Sequence, residues 1–215
     1  EAARNTVRMR RDLGPGDFDI AAPLGTGEVR ARVIGVVENQ APTRAMESRL
    51  DVIDGVVQMD PEEDICQIAL VERHRATGSV SHGFVSGFGY NVPCALASTV
   101  AHDSHHMIVV GTSKEDMALA ANRLRAVGGG VVLYREGVEE ALVELPIAGL
   151  MSDQPAHRVA AEADGLIEAM RVCGCALNNA YMQHTLLALV VIPELRISDL
   201  GLVDSARFRK TGLFV

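Results

Sequence analysis

From Met107 to Tyr134 the chain reads as a strand, a capped helix and a second strand with little between them, and this run restricts the folds open to it. Met107-Ile108-Val109-Val110 is continuously apolar and reads as a buried central strand. Ser113-Lys114-Glu115-Asp116 has the form of a capping box, a hydroxyl with an acid three residues on. Met117, Ala120, Ala121, Leu124 and Val127 follow at helical spacing, and Gly128-Gly129-Gly130 stops the helix before residues 131–134 extend again.

Other segments fit the same plan. Strands are predicted at residues 29–37, at 49–59 broken by the hairpin signal Asp54-Gly55, at 65–71, and at 142–145 beyond Gly137. A second helix spans residues 155–172, with Val159, Ala163, Leu166, Ile167 and Met170 as its apolar stripe. Gly78, Gly83, Gly87 and Gly89 fit either tight turns with close approach of backbone to a ligand or a twisted loop between strands, residues 95–101 read as a helix or strand, and 182–192 as a short helix or strand. The expected fold is α/β (α+β): one domain, a mixed sheet sandwich covered by at least two helices, with no TIM barrel.

Apolar residues at 48% supply a core, while a net charge of −8 argues against nucleic acid as a partner. No run is long enough to span a membrane. Cys66, Cys94, Cys173 and Cys175 lack metal-knuckle spacing, so reduced thiols and a cytoplasmic location are expected. The chain starts without Met, which suggests a fragment or processed product.

The densest chemistry is Ala101-His102-Asp103-Ser104-His105-His106. Such a cluster supports metal binding by His102, His105 and His106, proton transfer, or recognition of a nitrogenous ligand. Ser104 between Asp103 and His105 does not make a triad, because sequence neighbours do not converge. Pro93-Cys94 lacks the second Cys and the His-x-Glu of zinc deaminases, and no P-loop or Rossmann fingerprint is present.

Several segments together resemble the C-terminal domain of bacterial adenine deaminases. They include residues 36–44, Val71-Glu72-Arg73-His74, residues 83–89, Ala101-His102-Asp103-Ser104-His105, Gly149-Leu150-Met151-Ser152-Asp153 and Ile192-Pro193-Glu194-Leu195. The match runs from about residue 17 to 204, leaving 1–16 as a linker from a preceding domain. His106 stands where the family commonly has Asn, and Asn178-Asn179-Ala180-Tyr181 and Val190 replace Pro-containing positions.

The resemblance implies an amidohydrolase-superfamily enzyme that converts adenine to hypoxanthine and ammonia, with Mn or Fe held by an N-terminal β/α barrel whose His-x-His signature is missing here. It makes His102, Asp103 and His105 candidates for acid/base work or purine contact, and His82, Ser152 and Asp153 for substrate binding. The expected partners are that barrel, adenine and further copies of the chain. Two other readings stay open: a structural or oligomerisation domain without a site, and a stand-alone metal hydrolase built on His82, His102, His105 and His106.

Overall fold

Nine strands form one mixed sheet: β1 (Gly27–Gly35), β2 (Arg44–Ile53), β3 (Val56–Val57), β4 (Ile65–Val71), β5 (Val80–Ser86), β6 (Cys94–Ser98), β7 (Met107–Gly111), β8 (Gly130–Arg135) and β9 (Val138–Glu144). The computed structural model describes residues 3–215. The strand order is β3-β2-β1-β5-β4-β7-β6-β8-β9. The β1–β5 pair is parallel, and the other paired neighbours described are antiparallel. Among the described residues three α-helices accompany the sheet, α1 (Lys114–Val127), α2 (Ala156–Val172) and α3 (Ala180–Leu186), and a second small sheet joins β10 (Leu195–Ser198), β11 (Gly201–Asp204) and β12 (Arg209–Lys210).

The central strands are apolar throughout because both of their faces are covered. Every residue of β4, β6 and β7 is buried. Ala69, Val71, Met107 and Val109 face α1 and the N-terminal segment, where Val7, Met9, Leu13 and Phe18 are buried. Ile68, Leu70, Ile108 and Val110 face the other way, into a core shared with Leu166 and Met170 of α2 and with Ile197 and Leu202 of the small sheet. Each fully buried aliphatic side chain contributes about 1.5–3 kcal/mol, so these two layers hold the molecule together.

Several expectations need correction. Of the Gly-rich centre, Gly83 lies in strand β5, where a Cβ would come within 3.2 Å of Leu202 and 3.3 Å of Ile68, while Gly78, Gly87 and Gly89 lie outside the strand. Residues 94–98 form a strand. Ser113 caps α1 by accepting from the Asp116 amide at 3.1 Å, but the Asp116 carboxylate does not complete the box. It is buried and accepts from Glu136 N and Gly137 N, holding the β8–β9 turn. In α2 Ile167 is exposed, and α3 ends at Leu186. The hairpin at Asp54-Gly55 forms as read, both residues having positive φ, although its first strand starts at Arg44.

The glycine run does more than stop α1. A Cβ on Gly129 would lie 2.4 Å from Gly149 Cα, so only glycine lets the turn after β9 approach this closely. Beyond α3, Arg196 is fully buried and donates to the carbonyls of Leu186, Ile192 and Ala41, drawing the small sheet against the β1–β2 connection. No described helix is long and apolar enough to cross a membrane.

Candidate functional site

One end of the sheet gathers the end of β4, the β6–β7 loop, the turn after β9 and the first described residues. The β6–β7 loop folds back on itself. His105 has φ 50° and donates its amide to Ala101 O at 2.7 Å, while Ala101 N donates to His105 Nδ1 at 3.2 Å. With Nδ1 accepting, a neutral His105 ring carries its proton on Nε2. Burial lowers the His105 pKa below its ordinary value, helped by the neighbouring His102 and Arg73 charges and opposed by Asp103. The His102 ring meets that of His105 edge-on, with centroids 5.2 Å apart, and the His102 amide donates to Thr185 O of α3. Asp103 and Ser104 project as the exposed tip.

Arg73 lies beneath this loop with only 1% of its surface exposed. Its Nε donates to His105 O at 2.6 Å, Nη1 to Thr6 O and Oγ1 at 3.4 and 3.2 Å, and Nη2 to Thr99 O and Ala148 O at 3.4 and 3.1 Å. Among the described residues no carboxylate pairs with it. Burial alone lowers its pKa to about 10, so it remains a cation at neutral pH. Thr99 Oγ1 adds a second tie, donating to Gly149 O at 2.6 Å and accepting from Gly130 N at 2.8 Å. Next to Arg73, the Glu72 carboxylate accepts from the amides of His74, Arg75 and Thr77 and from the Thr77 hydroxyl.

The expected site residues divide. His102, Asp103 and His105 share the loop, and Asp153, close after the Gly149 turn, accepts from Arg4 at 2.6 Å. That bond lowers the Asp153 pKa. Ser152 caps the next turn by accepting from Gln154 N. His106 is directed elsewhere: its ring lies 4.7 Å from that of His74, and its Nε2 is 3.9 Å from Asp199. His82 pairs with Ala69 and so faces the α1 side, where burial and the Lys114 charge lower its pKa against the pull of Asp17 and Asp19.

The metal triad expected from His102, His105 and His106 is therefore not assembled, nor is the four-histidine centre that adds His82. Among the described residues no three His, Cys, Asp or Glu side chains are grouped to hold a metal. The donors of the described residues do not assemble a site for Mn or Fe. What sequence reading missed is Arg73, with Thr99 and Gly149. The available signal was a charged triplet, Glu72-Arg73-His74, directly after a strand buried along its whole length.

A family model described as the adenine deaminase C-terminal domain matches residues 40–209. The chain belongs to that family. Over all 215 residues it is 67% identical to a protein named adenine deaminase from Mesorhizobium japonicum. It is 68% identical over 214 residues to adenine deaminase 3 of Rhizobium meliloti, and 47% identical over 211 residues to an adenine deaminase of Rubrobacter xylanophilus, covering 97% of this chain. The chain spans about a third of these relatives, 36% in the first two and 35% in the third, and corresponds to their C-terminal part. In this family member three separate stretches, at residues 71–74, 99–105 and 148–153, come together around one guanidinium.

Proposed function

We propose that this chain is the C-terminal part of a metal-dependent adenine deaminase and presents the 101–105 loop to the purine site of the preceding barrel. The observation that carries this reading is where the chain comes in. Ala3 O accepts from Ala148 N, Arg4 pairs with Asp153, and Thr6 accepts from Arg73, so the first described residues, 3–6, lie directly against the candidate site. In this reading Mn or Fe would be held by the preceding barrel and would supply the hydrolytic chemistry there, and the overall reaction converts adenine and water to hypoxanthine and ammonia.

The residues of this chain bind, orient and exchange protons. His105, with Nδ1 occupied by Ala101 N, offers Nε2–H as a donor to a purine ring nitrogen. Asp103 at the exposed tip accepts from an amino group or relays a proton, with His102 beside the ring of His105. Ser152 and Asp153 line the rim next to the incoming segment. The enzyme would serve purine metabolism in the cytoplasm as a homo-oligomer, and four free buried cysteines suit a reducing compartment.

The test is Asp103→Asn in the full-length enzyme. A general acid or base there contributes about 10²–10⁴ in rate, so kcat/KM should fall by that order while the fold is retained. Unchanged ammonia release from adenine would overturn the reading.

A further inference from the structure

Arg73 lies outside the loop, touches none of its side-chain tips, and is still the group on which that end of the molecule is organised. Its Nε donates to His105 O, which belongs to the same residue whose amide and Nδ1 close the loop onto Ala101. Its two other nitrogens reach Thr99 O, where the loop leaves β6, Ala148 O in the turn before Gly149, and Thr6 in the incoming segment. The space around it is closed: a Cβ on Gly149 would lie 2.8 Å from Nη1 and 3.0 Å from Cζ. A buried cation with no carboxylate partner is expensive, and the hydrogen bonds offset this only if all acceptors stay in place. A planar five-donor fork therefore sets the spacing of three loops at once, which an ammonium on a flexible stem does not do.

We propose that Arg73 is a positioning residue for the deaminase reaction: by clamping the carbonyls of Thr99, His105 and Ala148 and the incoming residue Thr6, it holds the 101–105 loop in register with the preceding barrel. This rests on the function proposed above. Arg73 touches no substrate in this scheme and acts through the loop. Displacing the loop by an ångström misplaces its tip, and misplacements of that size cost up to about 10² in rate.

The experiment is a double-mutant cycle in the full-length enzyme, with Arg73→Lys and Asp103→Asn singly and together, followed by ammonia release and thermal unfolding. Arg73→Lys should lower kcat about tenfold or more with KM within about threefold, and should add less than about twofold once Asn is at position 103. That non-additivity separates positioning from plain loss of stability, which would lower Tm and leave the two rate effects multiplying. If Arg73→Lys does not fold, Gly149→Ala, which pushes on the guanidinium from its closed side, is put through the same cycle. An Arg73→Lys or Gly149→Ala enzyme with wild-type kcat, or undiminished multiplication with Asp103→Asn, overturns this proposal alone. If Asp103→Asn itself leaves turnover unchanged, the functional reading falls and this proposal falls with it.

Discussion

Glu72 gives the sharpest quantitative test of the site's framework. Its carboxylate is buried at the end of β4 and accepts from His74 N at 2.6 Å, Arg75 N at 2.7 Å, Thr77 N at 2.9 Å and Thr77 Oγ1 at 3.0 Å. Burial by itself raises the pKa, but these four donors outweigh it and hold the group at about 2 against an ordinary 4.5. A depression of that size is worth about 3 kcal/mol at full value, and about 1–2 kcal/mol after solvent screening at the loop's edge. Because the folded pKa is depressed, this stability is fully present above the unfolded value near 4.5 and is lost as pH falls through about 2. Glu72→Gln keeps one acceptor oxygen and turns an NH₂ toward the Thr77 amide, leaving two donors face to face. Urea unfolding of the 215-residue chain should therefore find the variant about 1–2 kcal/mol less stable at pH 7, with the gap less than half as large at pH 3. A gap that is the same at both pH values, or absent at pH 7, would refute the argument.

Two further outcomes follow from the packing. Asn122 on α1 exchanges two 2.8 Å hydrogen bonds with the backbone of Leu13, and this anchors the N-terminal segment beside the site. Asn122→Ala should cost about 1–2 kcal/mol and loosen the backbone around Arg10 and Arg11, whose side chains are already exposed, so that trypsin cuts there faster in the native state; a cleavage rate equal to wild type would show that the anchor lies elsewhere. All four cysteines are buried, and burial pushes the thiols of Cys66 and Cys175 up. A bulky thiol reagent at pH 8 should find them closed in the native chain and all four reactive after denaturation, and rapid native labelling of even one would contradict that burial.

Much of the fold was readable where local rules decide. The uninterrupted apolar run of β4 states that both faces of that strand are covered, the Asp54-Gly55 pair supplies the two positive φ values a tight hairpin needs, and Ser113 and Gly128 bracket α1. Reading failed where a residue's conformation answers to a distant partner. Gly83 is spare of side chain because the small sheet presses on it, and that sheet is formed by residues some 115 positions further along the chain. Asp116 sits at the capping position and serves a turn 20 residues away.

The candidate site divides along the same line. The local sequence determined that residues 101–105 carry imidazoles and a carboxylate at the mouth of a buried strand, and hydrophobic periodicity placed that strand in the middle of the sheet. Only the tertiary structure decided that His106 turns to His74 and Asp199 while His82 faces the opposite layer, because side chains alternate across a strand and the sheet separates what the sequence lists together. Only it revealed that Arg73 binds the loops, since a guanidinium's partners here are backbone carbonyls, which every residue owns and no sequence motif records.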